Sequence, residues 1–215
     1  MLTPQGRLLE RVEEFGTVEL GRSLGADWSG GPGDEPFTYR WTRSISSGEA
    51  GLTVKFTFRP ANRTGPLAYV EGTVSLKYDE LNLASSVVHP EKLRKRLVDR
   101  ATMIARVQSL APRGARPVSF DLADVAEVDD WLASFGSYVE RAVAPFVRDY
   151  ETLGAFLAGI DEDDPRLVML QDAFVMLAAY YLVQGDAAKA RRIVAERVSK
   201  PDVRLVMGDD QISTA

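Results

Sequence analysis

Between Phe37 and Tyr78, apolar and polar residues change places at almost every step, and that alternation constrains this chain more than any other feature. Leu52, Val54, Phe56 and Phe58 alternate with Thr53, Lys55 and Thr57, the period-two pattern of a strand with one buried and one wet face. Phe37, Tyr39 and Trp41 do the same against Thr38, Arg40 and Thr42. Val70, Val74, Leu76 and Tyr78 follow against Glu71, Thr73, Ser75 and Lys77, with Gly72 keeping the register. The connectors, Ser46 to Gly51 and Pro60 to Pro66, are rich in turn residues and of hairpin length. A three-stranded antiparallel meander follows, and its aromatic face needs a cover.

The cover has to be helical, because most of the remaining chain has a helical period. Leu8, Leu9, Val12 and Phe15 predict a short amphipathic helix ending near Gly16. Gly21 to Pro36 reads as a flexible connector, and Gly30-Gly31-Pro32-Gly33 lacks the lysine of a phosphate loop. Leu81 to Val88 reads either as a fourth strand or as an irregular connection. His89-Pro90 then opens a helix with Leu93, Leu97, Ala101, Ile104 and Val107 on one stripe, stopped by Pro112. Val118, Phe120 and Leu122 predict a short strand rejoining the sheet. The next helix carries Val125 to Val143 and is kinked or ended by Pro145. Asp161 to Asp164 read as the charged start of a long apolar helix from Pro165.

The expected architecture is α+β: an antiparallel meander of three to five strands covered by helices on one face over residues 1–158, then a helical hairpin over 159–200 and a partly disordered tail over 201–215. At 215 residues and 45% hydrophobic content the chain can bury a sizeable core. It contains no cysteine, which removes disulfides and thiolate chemistry and fits a cytoplasmic setting. Met1 to Leu20 is interrupted by Arg7, Glu10, Arg11, Glu13 and Glu14, unlike a signal peptide. The longest apolar run, Ala173 to Val183, is about half the ~20 residues that cross a bilayer.

Two resemblances follow from particular residues. Phe174, Leu177, Ala178, Tyr181, Gly185, Ala190 and Val194 are spaced so that the last helix pair resembles one tetratricopeptide-type repeat, or else an ordinary helical hairpin. A single copy must pack on the rest of the chain or on a partner. Phe37-Thr38-Tyr39-Arg40, the Leu52 to Phe58 strand and the run from Trp131 through Ala144-Pro145-Phe146-Val147 to Leu153 resemble the bacterial family known as domain of unknown function 4304. That likeness covers roughly residues 2–158 and brings no established activity.

Reactive groups are sparse. His89 is the only histidine and reads as a helix-entry residue, with no Gly-x-Ser-x-Gly elbow elsewhere to pair with it. Asp121, Asp124, Glu127, Asp129 and Asp130 are dense enough to bind Mg²⁺ or act as acid and base, yet they also suit helix capping and solvent. Lys92, Arg96 and Arg100 repeat every fourth residue and form a basic helical stripe. The wet face of the meander offers Thr38, Arg40, Thr42, Lys55, Thr57, Tyr69, Glu71, Thr73 and Lys77.

The reading that best fits is a non-catalytic cytosolic protein-binding module, an adaptor or immunity-type inhibitor. Its candidate binding residues are Arg40, Lys55, Tyr69, Lys92, Arg96, Arg100 and Tyr181, with no catalytic residue, metal or cofactor assigned. The expected partner is another protein or a second copy; a net charge of −5 argues against nucleic acid, and no membrane is expected. The alternative is a carboxylate-dependent or nucleic-acid-processing enzyme using Asp121 to Asp130 beside the basic helix.

Overall fold

The computed structural model describes residues 4–59, 64–88, 91, 101–110, 120–167 and 171–199. They fall into two units, Met1–Asp79 with Ala101–Val168, and Glu80–Arg100 with Met169–Ala215. The first opens with α1 (Pro4–Glu14), a π-turn at Phe15–Glu19 and α2 (Leu20–Leu24). Strands β1 (Ser29–Pro32), β2 (Thr38–Ile45), β3 (Gly48–Phe58) and β4 (Ala68–Tyr78) follow. After β4 comes α3 (Asp79–Val88), which from Glu80 onward belongs to the second unit, and the first unit resumes with β5 (Met103–Arg106), β6 (Asp121–Leu122), α4 (Val128–Tyr138), α5 (Ala144–Asp149) and α6 (Leu153–Asp161).

The alternating stretch is the centre of an antiparallel sheet ordered β1-β2-β3-β4-β5, with β6 also pairing with β4. Register gathers the apolar residues into rows on one face. Trp41 lies opposite Leu52, Leu52 opposite Val74, and Val74 opposite Ala105. Each of these side chains is buried. Fully burying a large apolar side chain is worth roughly 1.5–3 kcal/mol, so the greasy face must be covered.

Phe56 is the meeting point of that cover. Its ring packs edge-on against Phe15 at 6.1 Å, Tyr39 at 5.9 Å, Trp131 at 5.7 Å and Phe135 at 6.3 Å. Phe120 extends the cluster, 5.0 Å from Phe135 and 5.2 Å from Tyr138. Two glycines let sheet rings reach helix backbone. A Cβ on Gly16 would sit 2.3 Å from the Tyr39 ring, and one on Gly21 would sit 2.2 Å from the Trp41 ring.

Several expectations change here. Gly16 lies inside a helical segment that continues to Leu24, because a missing side chain is what the Tyr39 ring requires. The Gly21 to Pro36 connector contains α2 and the edge strand β1. Pairing there requires glycine at position 30, where a Cβ would meet the Arg40 carbonyl oxygen at 2.1 Å. Leu81 to Val88 is neither strand nor irregular. It is helix α3, with Leu81, Asn82, Ala84 and Ser85 buried on one face, the i, i+3, i+4 spacing that a helix presents together. Ile104 and Val107 do not share a helical stripe, since Met103–Arg106 is the strand β5 and Val107–Leu110 a 3-10 turn. Leu93, Leu97 and Pro112 lie outside the described residues, as do Val118, His89 and the 201–215 tail.

Pro145 does not end its helix. A π-turn at Val139–Val143 precedes it, and the Ala144 N–H donates to the Val139 carbonyl, five residues back. That widened turn carries the axis past the residue that cannot donate. The acidic run also works differently. Asp161 closes α6, and Asp164 holds a tight turn in which its carboxylate accepts from the Arg166 N–H at 2.9 Å.

In the second unit, α7 (Gln171–Val183) and α8 (Ala187–Ser199) form the expected C-terminal hairpin. Gly185, at φ 82°, lets the Asp186 N–H reach the Tyr181 carbonyl at 2.8 Å and its own N–H reach Leu182 at 3.1 Å. This is a Schellman stop. Asp186 then caps α8 through the Lys189 N–H at 2.9 Å. Leu177, Ala178 and Ala190 are buried, whereas Val194 is 51% exposed.

Two glycine substitutions separate close approach from mere helical position. Gly16→Val forces the Tyr39 ring away and is expected to cost roughly 1–3 kcal/mol or more. Gly154→Ala, an exposed site in α6 where a Cβ meets nothing closer than 4.0 Å, is expected to be neutral or to stabilise by roughly 0.4–1 kcal/mol. Chemical denaturation of both variants checks the pair.

Candidate functional site

The face of the sheet opposite the rings is polar, and register arranges it into cross-strand rows. Arg40 lies opposite Thr53, Thr53 opposite Thr73, and Thr73 opposite Arg106. With strands ~4.8 Å apart, that row spans roughly 14 Å. A second row places Lys55 opposite Glu71, a third Glu49 opposite Lys77, and a fourth Thr57 opposite Tyr69 and Tyr69 opposite Asp121. Arg40, Lys55, Glu71, Thr73, Arg106 and Asp121 are exposed; Thr53, Thr57, Tyr69, Ser75 and Lys77 are half-buried. Ile104, at 38% exposure, is the one large apolar residue among these positions.

The rim of this face is tied by charge. Lys55 Nζ donates to Glu35 Oε2 at 2.7 Å, and this bond lowers the Glu35 carboxyl below its ordinary range. Arg40 reaches Asp34 at 3.4 Å. Thr38 departs from expectation, being 6% exposed. The β1–β2 connection crosses it, with the Cβ position of Gly33 3.4 Å from Thr38 Cγ2.

Two denser groups of ionisable side chains lie elsewhere in the first unit. Arg11 donates from Nε to Asp129 at 2.7 Å and also pairs with Glu14 and with Glu19 at 3.2 Å, while Arg7 reaches Asp129 at 3.3 Å. The bond from Arg11 holds the Asp129 carboxyl below its usual value. The pairing fastens α1 to the first turn of α4. In the other group, Arg166 donates from Nη2 to Asp164 Oδ2 at 2.8 Å and from Nη1 to Asp149 at 3.0 Å. Tyr150 donates its hydroxyl to Asp164 Oδ2 at 2.5 Å and accepts from Arg166 Nη2 at 3.3 Å. The guanidinium also lies 5.6 Å from the Phe146 ring centroid and 5.4 Å from that of Tyr150. Hydrogen bonds from Arg166 hold the Asp164 carboxyl far below the ordinary range, whereas burial, then the Asp164 carboxylate, pushes the Tyr150 phenol up to about 12.

The residues singled out by sequence therefore fall in different places. Arg40, Lys55 and Tyr69 come together on the polar sheet face. Tyr181 is in the second unit, stacked edge-on with Tyr180 at 5.4 Å and capped by Lys189 at 4.6 Å. Lys92, Arg96 and Arg100 lie outside the described residues. The acids of the alternative reading are divided among separate tasks. Asp121 is on β6, Asp124 caps a 3-10 turn through the Ala126 N–H at 2.9 Å, and Asp129 binds arginine. Among the described residues, no group of three or more such side chains converges as a metal site, and no helix is long and apolar enough to cross a membrane. Arg106 falls within the span that the sequence predicts as the helix between His89 and Pro112. The alternation of Met103 and Ala105 with Ile104 and Arg106 is the signal that puts it on the sheet face.

Compared with protein-family models, curated proteins and solved structures, the chain matches none. The resemblance to domain of unknown function 4304 rests on its sequence motifs alone.

The Asp164 carboxylate has a testable pH signature. Its folded-state pKa is depressed, so its contribution to stability is fully present above the ordinary aspartate value near ~3.9 and declines as pH falls below that value. It vanishes once the folded carboxyl is protonated. Asp164→Asn is therefore expected to lower the melting temperature at pH 7, with the gap to wild type closing on acidification. A gap independent of pH contradicts the assignment.

Proposed function

We propose that the chain is a non-catalytic cytoplasmic protein-binding module, of adaptor or inhibitor type, and that the polar sheet face is its recognition surface. The observation that carries this reading is the row Arg40–Thr53–Thr73–Arg106, which fixes two cations and two hydroxyls on adjacent strands of a sheet whose reverse side is packed. Strand pairing removes most of the ordering entropy that a loop-borne site would lose on binding. Mixed charge, with Glu71 opposite Lys55 and Asp121 opposite Tyr69 in neighbouring rows, suits a protein partner of similarly mixed polarity and gives register and association rate more than raw affinity. The densest ionisable groups, around Arg11 and Arg166, bind elements of the first unit to one another.

The test is capture by the full chain compared with the double variant Arg40→Glu, Arg106→Glu. Affinity for the captured partner is expected to fall at least ~10-fold, about 1.4 kcal/mol. Melting should barely move, since exposed substitutions of this kind stay within about 0.5 kcal/mol. Unchanged affinity, or loss only on substitution of Tyr181 in the hairpin, contradicts the assignment.

A further inference from the structure

Charge is balanced unevenly across the polar sheet face. Lys55 lies opposite Glu71 and Lys77 opposite Glu49, so each lysine faces an acid on the next strand. The arginines of the row Arg40–Thr53–Thr73–Arg106 face threonines on the strands between them. Among the described residues, the one carboxylate that Arg40 reaches comes from outside the sheet, Asp34 Oδ2 at 3.4 Å, and Arg106 pairs with none.

Asp34 and its neighbour Glu35, which takes Lys55 at 2.7 Å, sit in the turn between β1 and β2. The turn is pinned in place, with the Gly33 N–H donating to the Thr38 carbonyl at 2.7 Å and the Thr38 N–H donating to the Glu35 carbonyl at 3.2 Å. Covering the face here has a cost, because Thr38, 6% exposed, is left with a hydroxyl that has no hydrogen-bond partner among the described residues. Both acids stay open to water, their side chains 92% and 65% exposed. Ion pairs this exposed are weak and yield to a competitor.

We infer that the recognition face takes an acidic segment of its protein partner, and that Asp34 and Glu35 hold two of that segment's carboxylate positions in the unbound chain. This rests on the proposed recognition face and names the chemistry of its partner. Guanidinium groups bind carboxylates in a two-pronged geometry that fixes orientation. Arginines at the ends of a row roughly 14 Å long match carboxylates about four residues apart in an extended segment, at ~3.3 Å per residue. Arg106 is the open end of the row, and Arg40 and Lys55 are the end that the turn occupies. The turn's acids compete from within the chain, held beside their cations at high effective concentration.

The probe is a fluorescein-labelled decaglutamate peptide, titrated with the full chain at low salt and followed by anisotropy. The double variant Asp34→Asn, Glu35→Gln is expected to bind it at least ~3-fold more tightly than wild type, the gain of removing two exposed ion pairs. Glu10→Gln, Glu13→Gln removes the same charge from exposed positions of α1 and is expected to leave the affinity unchanged. Arg40→Glu, Arg106→Glu is expected to abolish binding. A smaller gain, an equal gain in the α1 control, no binding by any variant, or tighter binding of decathymidylate than of decaglutamate overturns the acidic partner. The recognition face survives those results if the captured partner still loses affinity on Arg40→Glu, Arg106→Glu; partner affinity unchanged by that pair removes the face itself. Should the Asp34, Glu35 double variant melt below wild type, Glu35→Gln alone decides on the same criteria.

Discussion

The edge-on packing of Phe56 against Phe15, Tyr39, Trp131 and Phe135 is the contact on which the first unit depends. It joins the middle strand to the N-terminal helical segment and to α4, elements more than a hundred residues apart in sequence. Each such ring pair adds roughly 0.5–1.5 kcal/mol beyond the area it buries. The packing carries a polar cost: among the described residues, Trp41 Nε1 and Trp131 Nε1 are buried with no hydrogen-bond partner, roughly 1–3 kcal/mol for each such group. It also dictates where glycine stands, since Gly16 and Gly21 are the places where Tyr39 and Trp41 meet helix backbone.

One-sided burial explains the other face. In an antiparallel sheet with helices on a single side, the period of two sends every second residue away from the core. Thr53, Lys55, Glu71, Thr73 and Arg106 are exposed or half-buried for that reason, and their spacing is fixed by backbone pairing. Threonine is a good strand former whether or not it meets a ligand, so hydroxyls alone say little. Recognition rests on the cations at both ends of one row and on the acids in neighbouring rows.

Strands β2 to β4 were legible because alternation is set by burial itself, and Arg40, Lys55 and Tyr69 were placed correctly on the wet side by parity. Strand β1 was hidden, since Ser29-Gly30-Gly31-Pro32 has almost no side chains to alternate. Helix α3 was hidden for a different reason. Leu81 and Leu83 are two apart, as in a strand, while the helix buries Leu81, Asn82, Ala84 and Ser85 and leaves Leu83 exposed. Strand β5 spans only Met103–Arg106, too short to outweigh an apparent helical stripe, and with it went the sheet position of Arg106. The Tyr150–Asp164–Arg166 network could not be read from sequence because its members come together only through a turn after α6. The π-turn that carries the helix past Pro145 leaves no compositional trace.

Strand β4 has a packed side and an open side. Single substitutions Thr73→Cys and Val74→Cys put thiols on neighbouring residues of that strand, in a chain with no other cysteine. Measured under native conditions, alkylation at position 73 is predicted to run at close to the rate of an unfolded chain, and alkylation at position 74 only as fast as global opening allows. Equal rates at the two positions would contradict a sheet buried on one face alone.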